Sequence, residues 1–409
     1  MNSKQTYLVG VNGSFVRKPA TGIGQVSWHF IKSLSKATNN TNDNTSRFII
    51  YVEEKIPIML KKSINSNKLE FKIVKGWYKR DDLLRKILWE KFWLPKQIKK
   101  DKCQKFISPY QSATILSRKI KHLMIVHDII PRIFPEYLNN WRKKIYYKTI
   151  DWAIERVSKI LTISKFSQQE ISKAYNIDLD KIKVNYIACD PIFQQEISSQ
   201  KRTGILKKYK LSSERKYIFN FGGFDVRKNV GRTIEAYGKL MNKKIKQGAV
   251  PAELPRLVLG GKFYKHLVPL VTSVEEKIKE VCKKYNLGTD LFQLIGFVKQ
   301  TDLPALYQSA EVFIYPSLYE GFGLPVLEAM WSKTPVVTSS TTSIPEVISK
   351  QAGYLVNDPT NIDEIKTQLQ KALEDTLNNK QQKIDTAFAE SQKFSWKKFT
   401  EQIVSEILK

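Results

Sequence analysis

The chain has 409 residues, 42% of them apolar, so it is long enough for two domains and too apolar to be disordered throughout. Its 68 Lys and Arg against 39 Asp and Glu give a net charge of 68 − 39 = +29. That charge favours anionic partners, or reflects lysines spread over solvated helix faces. The three cysteines form no CxxC motif, and no stretch is apolar enough for a signal peptide or a membrane span. We therefore predict neither a disulfide framework nor a zinc site, and expect a reducing cytoplasm.

Short apolar runs alternate with amphipathic stretches along the first half, which predicts a parallel sheet covered by helices. Strands are predicted over 6–12, 47–53, 68–75, 104–108, 121–127, 159–164 and 182–188. Helices are predicted between them, over 22–37, 81–100, 139–157 and 165–175.

A polar segment, QQEISSQKRTGILKKYKLSSERK, follows Pro191 and is predicted to be a linker into a second domain. The second series of strands is predicted over 216–222, 256–260, 291–298, 311–316, 334–338 and 353–356, with helices near 229–243, 268–285, 302–310 and 324–333. We predict an α/β protein of two doubly wound, Rossmann-like domains, 1–195 and 196–394, with a last helix over 395–409 that packs on the first domain. Such sheets bind ligands at the carboxyl ends of their strands.

The most informative segment is IYPSLYEGFGLPVLE, which runs from a predicted strand through a glycine turn into a helix. Gly321 and Gly323 allow the backbone to approach a ligand, and the amides of a helix N-terminus bind oxyanions. Glu320 offers a carboxylate to a sugar hydroxyl, and Glu328 offers one to a ribose diol. A plain strand–helix turn with a capping glutamate has the same pattern.

A second cluster, NFGGFDVRKN, places Arg227 and Lys228 at the start of the predicted helix 229–243. A diphosphate there would meet two cations and the positive end of the helix dipole. Because departure of a nucleoside diphosphate builds negative charge on the leaving phosphate, preorganised cations lower the barrier to glycosyl transfer. The alternative is a pair of solvated basic residues at a helix start.

These two segments resemble the retaining glycosyltransferases of family 4, which have the GT-B fold. Glu320–Glu328 resembles the E-x7-E signature of that family, and the stretch TPVVTSSTTSIPEV also resembles the family's sequences. The resemblance extends across the whole chain. The resemblance implies two Rossmann-like domains that face each other across a cleft. It also implies transfer of a hexose from a nucleotide-diphosphate sugar, a substrate that makes a separate cofactor unnecessary.

The resemblance also implies roles for individual residues. Arg227 and Lys228 are expected to hold the diphosphate, and His127 to contact the transferred sugar, which makes them catalytic residues together with Glu320. Taken alone, His127 is more typical of a structural hydrogen bond. Many relatives carry Arg where this chain has Gly223, so the phosphate contacts are assigned to Arg227 and Lys228. Substrate contacts are expected at Gly22, Gly24, Asp128, Gly223, Val298, Gly321, Phe322, Gly323, Leu324 and Glu328.

No metal site is predicted. Asp178-Leu-Asp180 has the form of an Asp-x-Asp metal motif, but it lies between a predicted helix and a predicted strand, where a turn is expected. Arg227 and Lys228 supply the positive charge that a metal would bring to a diphosphate. No carboxylate is placed as a covalent nucleophile, so the family resemblance implies same-face attack in which the leaving phosphate takes the acceptor's proton.

Residues 76–106 form a basic stretch with ten Lys and Arg against four Asp and Glu. Its apolar residues at helical spacing are Leu84, Ile87, Leu88 and Phe92, with Trp77, Trp89 and Trp93 beside them. A basic helix with aromatic residues lies on anionic bilayers, or packs its apolar face on the sheet below. We expect packing for the apolar face and membrane attraction for the charge, because acceptors in this family are often lipid-linked glycans.

The predicted function is hexose transfer, with GDP-mannose as the first donor to test, to a glycan or lipid-linked acceptor at the inner face of the cell membrane. The alternative is a non-catalytic GT-B subunit that binds a glycan or a partner transferase. Such subunits tend to lose the carboxylates or cations that this chain keeps. A sugar-nucleotide epimerase shares the fold. Nucleic-acid binding is not predicted, because no basic stripe with stacking aromatics or recognised module is present.

Overall fold

The structure is a computed structural model that describes residues 7–19, 21–40, 46–76, 81–261 and 270–409. The chain divides into two compact units, one of Met1–Ala188 with Phe394–Lys409 and one of Cys189–Lys393. Each unit is an α/β structure built on its own parallel sheet. The predicted fold class is thereby confirmed.

The first unit begins with a parallel βα series. Its strands are β1 (Tyr7–Asn12), β2 (Ser46–Val52), β3 (Leu69–Ile73), β4 (Lys105–Ser108), β5 (Lys121–Val126), β6 (Lys159–Thr162) and β7 (Ile182–Val184). Its helices are α1 (Gly22–Asn40), α2 (Ile58–Lys62), α3 (Asp82–Leu88), α4 (Leu94–Lys100), α5 (Ile130–Ile133), α6 (Trp141–Ile154) and α7 (Lys165–Tyr175). The strand order is β3-β2-β1-β4-β5-β6-β7, with Val9 paired to Phe48 on one side and to Lys105 on the other.

The second unit repeats this architecture. Its strands are β8 (Tyr217–Phe221), β9 (Arg256–Gly260), β10 (Phe292–Gly296), β11 (Val312–Tyr315), β12 (Val336–Ser339) and β13 (Tyr354–Val356). Its helices are α8 (Ser199–Lys208), α9 (Val230–Lys246), α10 (Val274–Tyr285), α11 (Leu303–Ser309), α12 (Leu324–Trp331), α13 (Ile344–Val347), α14 (Ile362–Glu374) and α15 (Leu377–Ser391). The strand order is β10-β9-β8-β11-β12-β13. β11 is buried along its whole length, as expected for a parallel strand with both faces covered.

The last helix, α16 (Trp396–Leu408), belongs to the first unit. Ser33 Oγ on α1 donates to the carbonyl of Trp396 over 3.0 Å, and Lys105 Nζ donates to the carbonyl of Leu408 over 2.7 Å. The buried ring of Phe399 packs edge-on against Phe30. The amphipathic tail therefore completes the hydrophobic core of the first unit.

The structure corrects several local predictions. The polar segment predicted as a linker contains α8, because Ile205 and Leu206 are buried and hold the helix on the second unit. The first unit ends at Ala188 rather than at 195, and β7 ends at Val184 rather than at 188. The single helix predicted over 81–100 is interrupted by a π-helical turn, Trp89–Trp93, and α14 and α15 were not predicted.

The aromatic residues of the basic stretch 76–106 differ in their exposure. Trp89 is fully buried and its indole Nε1 donates to the carbonyl of Val74 over 2.9 Å, so it belongs to the core. Phe92, by contrast, is 59% exposed. Trp77 lies outside the described residues.

Candidate active site

The order of the strands reverses once in each sheet, and in doubly wound folds ligands bind at that point, beyond the carboxyl ends of the strands. In the second unit the reversal lies between β8 and β11. Arg227 and Lys228 follow β8, and Glu320 follows β11. The sheet topology therefore brings the two predicted motifs together.

The loop after β8 is held by short polar contacts. Asp225 Oδ1 accepts a hydrogen bond from the backbone amide of Arg227 over 3.0 Å. Asn229 adopts a left-handed conformation, with φ of 61°, and its side-chain amide donates to the carbonyls of Pro316 and Pro359 over 2.9 and 2.6 Å. Because Pro316 follows β11, Asn229 fixes one loop of the site against the other.

Three donors converge on one oxygen of Glu320. Lys228 Nζ donates to Glu320 Oε1 over 2.6 Å, the Tyr315 hydroxyl donates over 2.8 Å, and Arg227 Nη1 lies 3.3 Å away. Lys228 also contacts the Tyr315 hydroxyl. In the part of the chain that the structure describes, no donor is hydrogen-bonded to the other oxygen, Oε2. All three contacts given above therefore involve Oε1.

Burial and charge determine the ionisation of this cluster. Burial lowers the pKa of the Lys228 ammonium and the charge of Arg227 adds to the decrease, while Glu320 opposes it. Burial alone would raise the pKa of the Glu320 carboxyl, but Lys228 and Arg227 outweigh it and the pKa lies below its usual value. Burial raises the pKa of Tyr315 well above its ordinary value, so its hydroxyl keeps the proton that it donates to Glu320.

The conformation of the turn after Glu320 depends on Gly323. Gly323 has φ of 104°, and a Cβ on it would lie 2.6 Å from Ile344 Cδ1. A side chain there would be strained by the backbone conformation and would also require Ile344 to shift. Thr342 and Ser343 bind the backbone of Glu320 on both sides, at 3.3 Å from its amide and 2.9 Å from its carbonyl.

Glu328 is buried beneath this turn, on α12, rather than exposed at its surface. The residue is 4% exposed, and its carboxyl accepts a hydrogen bond from the Tyr307 hydroxyl over 3.0 Å. Burial raises the pKa of Glu328 to about 8. The ribose contact predicted for Glu328 stays a prediction.

The other predicted substrate contacts in the second unit lie in the loops at the ends of β8, β10 and β11. Gly223 is exposed, and among the described residues no atom lies within 4 Å of where its Cβ would stand. Val298 lies two residues after β10 and is buried, at 3% exposure. Phe322 is buried, whereas Leu324, the first residue of α12, is partly exposed, and Gly321 is buried in the same turn.

The remaining predicted residues belong to the first unit. His127 directly follows β5, is 5% exposed and donates from Nε2 to the carbonyl of Pro109 over 2.8 Å. Burial lowers the pKa of its imidazole, against the opposing effects of Pro109 and Asp128. Asp128 accepts a hydrogen bond from the amide of Ile130 over 3.1 Å.

The two glycines at the start of α1 have different requirements. A Cβ on Gly24 would lie 1.9 Å from the carbonyl oxygen of Lys18, so the close backbone approach requires glycine. Gly22 has open space around it. Thr21 Oγ1 accepts from the amide of Gly24 over 3.1 Å and thereby caps the helix.

Tyr315 and Asn229 were missed by the sequence interpretation, although both stand within the quoted motifs. Tyr315 ends β11, and a hydroxyl at the carboxyl end of a buried strand is the signal that could have identified it.

Asp178, the first residue of the Asp-x-Asp pattern, precedes a short 3-10 turn, as expected. Within the described ranges no cluster of three or more His, Cys, Asp and Glu residues could hold a metal ion.

Comparison with known proteins identifies the family. Residues 201–390 match the family described as Glycosyl transferases group 1. Over 282 residues the chain is 33% identical to the O-antigen chain mannosyltransferase B of Escherichia coli, and the alignment covers 68% of each chain. The chain belongs to the group 1 glycosyltransferases. This glycosyltransferase is also 30% identical over 281 residues to the serotype-specific mannosyltransferase WbdA of Escherichia coli, of which the alignment covers 32%.

Solved structures share the fold of this glycosyltransferase. WaaG, described as a glycosyltransferase involved in lipopolysaccharide biosynthesis, superposes with a TM-score of 0.69 at 14% identity and covers 98% of this chain and 99% of its own. A glycosyltransferase from Rickettsia africae ESF-5 gives a TM-score of 0.68 at 17% identity, over 99% of both chains. The predictions of the GT-B fold class, of the family and of an enzyme are confirmed. Among the helices that the structure describes, none is both long and apolar enough to cross a bilayer.

Proposed function

We propose that this glycosyltransferase moves a mannosyl residue from GDP-mannose, with retention of configuration, to a glycan or lipid-linked glycan in the assembly of an O-antigen or a related polysaccharide. The observation that carries the proposal is the buried cluster of Arg227, Lys228, Tyr315 and Glu320 at the strand-order reversal of the second unit. The donor is supported by the relatives described as mannosyltransferases.

The cluster suits a donor with two kinds of group. A diphosphate finds two cations that are already held in place, which stabilise the negative charge that develops as the nucleoside diphosphate leaves. Glu320 holds both cations through Oε1 and keeps Oε2 for a hydroxyl of the sugar. One carboxylate therefore orients the phosphate-binding cations and the sugar together.

The acceptor's proton needs a base. In same-face attack the leaving phosphate oxygen lies beside the attacking hydroxyl and takes that proton. His127 is neutral and donates to Pro109, so we assign it contact with the sugar and no proton transfer. The positive charge of Arg227 and Lys228 replaces a divalent metal ion in this proposal.

The first test is a donor screen on the full chain. Thermal unfolding is measured with GDP-, UDP-, dTDP- and ADP-sugars, because a ligand at 100 times its dissociation constant stabilises by about 2.7 kcal/mol. We expect GDP-mannose to raise the unfolding temperature most. In a second assay, with EDTA present, we expect the enzyme to transfer radiolabelled mannose from GDP-mannose to a glycolipid extract. Stabilisation by a different donor alone would reject GDP-mannose. Donor binding without transfer or donor hydrolysis would favour the non-catalytic subunit, and an isomerised nucleotide sugar would reveal an epimerase.

We also propose that the enzyme binds anionic membranes from the cytoplasmic side, through one face of α6. Trp141, Ile145 and Trp152 are 66%, 51% and 47% exposed and share one side of that helix. Lys144 and Lys148 are exposed beside them. Exposed tryptophans with interleaved lysines are typical of helices that lie in the bilayer interface. These five residues are called the α6 surface below.

A further inference from the structure

The strand order of the first sheet reverses between β1 and β4, and a lysine is held above this point. Lys86, on α3, places its ammonium 4.3 Å from the ring centre of Phe15, which follows β1. It lies 4.9 Å from the ring centre of Tyr110, which follows β4, and 5.2 Å from that of Tyr146 on α6. The two rings that flank the reversal, Phe15 and Tyr110, pack edge to face at 4.5 Å.

The Lys86 ammonium has no hydrogen-bond acceptor among the described residues. Its nearest carboxylate oxygen, Glu90 Oε1, is 3.9 Å away, and its side chain is only 15% exposed. A lysine carries three N–H donors, and an unsatisfied buried donor is costly. The ammonium is therefore held by three aromatic rings and one ion pair, and its N–H donors make no hydrogen bond to a described residue.

Glu90 does not require Lys86 as a partner. It is fully buried and lies in the π-helical turn, a conformation often found at functional sites. Its Oε1 accepts from the Tyr110 hydroxyl over 2.8 Å. Its Oε2 accepts from the Tyr146 hydroxyl over 2.8 Å and from the amide of Ala113 over 2.9 Å. Both oxygens are satisfied without the lysine.

A lysine, a tyrosine and a glutamate lie together at the strand-order reversal of each unit. In the second unit the Tyr315 hydroxyl donates to Glu320 over 2.8 Å and Lys228 lies 4.9 Å from the Tyr315 ring centre. In the first unit the Tyr110 hydroxyl donates to Glu90 over the same 2.8 Å, and Lys86 lies at the same 4.9 Å from the Tyr110 ring centre. The difference is that Lys228 donates a hydrogen bond to its glutamate over 2.6 Å, whereas Lys86 forms only an ion pair with Glu90, at 3.9 Å.

Charges of both signs surround Lys86. Burial lowers the pKa of its ammonium, Glu90 and Glu53 oppose that decrease, and Lys18 and Arg17 add to it. Lys18 and Arg17 are themselves paired to Asp82, at 2.6 and 3.0 Å. Lysine acts on phosphate as a point charge and needs no bidentate geometry.

We propose that Lys86, caged by Phe15, Tyr110 and Tyr146, is a binding site for a phosphate group of the acceptor substrate. The site belongs to the first unit, whereas the donor cations belong to the second unit. The proposal rests on the function proposed above, because it assigns the anion to the acceptor. A phosphate there comes either from a diphosphate-linked lipid or from a soluble sugar phosphate.

The test is anion binding to the full chain saturated with GDP, so that the donor cations are occupied. Mannose 1-phosphate, octyl diphosphate and glucuronate are titrated by calorimetry. We expect Lys86→Met to raise the dissociation constant of at least one phosphate compound tenfold or more, and Lys86→Arg to keep it within threefold of the wild-type value. Tighter binding of octyl diphosphate assigns the lipid source, and tighter binding of mannose 1-phosphate assigns the soluble one.

Lys96→Met is the matched control, because Lys96 is exposed on the neighbouring helix α4 and should leave binding within twofold of wild type. Lys86→Met should unfold at a lower temperature than the wild-type protein, because it removes the cation 3.9 Å from the buried Glu90. Binding is therefore compared at a temperature at which both proteins are folded. Phosphate binding that does not depend on Lys86, equal losses in the Met and Arg variants, or Lys86-dependent binding of glucuronate alone would overturn the proposal. Failure of GDP to bind would instead refute the proposed donor, while phosphate binding at Lys86 would persist without GDP.

Discussion

Lys228 Nζ donates to Glu320 Oε1 over 2.6 Å, although the two residues are separated by 92 positions and follow different strands. Both side chains are largely buried, at 13% and 8% exposure, so the bond is part of the folded core as well as of the site. Removing one partner of a buried ion pair strands the other charge. The same bond therefore links stability to catalysis.

We expect Lys228→Ala and Arg227→Ala each to slow transfer at least tenfold, since a charge-assisted hydrogen bond contributes about 1.5–3 kcal/mol and each decade of rate is about 1.4 kcal/mol. Lys228→Ala should also lower the free energy of unfolding by about 3–5 kcal/mol, because Glu320 is left buried without its closest cation. Steady-state kinetics and urea unfolding measure the two effects.

The double variant Lys228→Met/Glu320→Gln separates the effect on transfer from the effect on the free energy of unfolding. It removes both charges, so stability should recover most of the loss while activity stays low. Recovery of activity together with stability would show that the cations act only on the fold. Full activity in either single cation variant, or loss of activity with EDTA and rescue by manganese, would contradict the metal-free mechanism.

The family resemblance implies an arginine at the position of Gly223. None of the atoms that the structure describes lies within 4 Å of the Cβ position, and the φ of Gly223 is not positive. We expect Gly223→Arg to unfold at the wild-type temperature and to bind GDP about tenfold more tightly, as one added charge-assisted bond allows. Isothermal titration with GDP measures the affinity.

Gly323→Ala is the contrasting variant, because its φ of 104° strains a residue with a side chain and the added Cβ would require Ile344 to shift. It should lose stability, whereas Gly223→Arg should not. Unchanged or weaker GDP binding in Gly223→Arg would place the diphosphate elsewhere.

The parts of the site that follow from local pattern could be predicted from sequence, and those that depend on distant contacts could not. Glu320, Arg227 and Lys228 stand in short motifs between a strand and a helix, so their positions followed from periodicity and turn chemistry. The partners of Glu90, by contrast, come from residues 20 and 56 positions away, and no local pattern encodes them. Trp89 shows the same limit, since a helix with aromatic residues has one pattern whether it faces lipid or a core.

Glu328 predicts a specific pH dependence of stability. Its pKa is raised from 4.5 to about 8 in the folded state, because burial disfavours the charged form. Between these values the unfolded chain has lost a proton that the folded protein keeps, so stability falls as pH rises from about 4.5 to about 8. Each unit of difference in pKa corresponds to about 1.4 kcal/mol.

Glu328→Gln removes this titration and keeps an acceptor for Tyr307. The variant should therefore gain stability over wild type as pH rises from 5 to about 8, by roughly 1.4 kcal/mol per unit, in urea unfolding. Glu214→Gln, at an exposed position of the same unit, serves as the control and should parallel wild type. A constant difference between Glu328→Gln and wild type over this range would show that Glu328 is ionised in the folded protein.

The α6 surface predicts reversible binding to anionic membranes. Exposed Trp141 and Trp152 are expected to enter the bilayer interface, and Lys144 and Lys148 to meet anionic headgroups, at about 1 kcal/mol for each cation near the surface. Co-sedimentation should increase with the fraction of anionic lipid and fall with salt, because the Debye length shrinks to about 3 Å at 1 M. The double variant Trp141→Ser/Trp152→Ser should reduce binding at least tenfold.

Phe92→Ser distinguishes the α6 surface from the basic stretch 76–106. Phe92 is 59% exposed, comparable to Trp141 and Trp152, but it lies in the π-helical turn between α3 and α4. If α6 is the membrane contact, Phe92→Ser should bind vesicles like the wild-type protein, and the two tryptophan substitutions should leave transfer to a soluble acceptor unchanged. A tenfold loss in Phe92→Ser with none in the tryptophan variant would transfer the contact to the basic stretch. Equal pelleting with neutral and anionic vesicles would refute electrostatic attraction for both surfaces, because neither set of lysines would then contribute to binding.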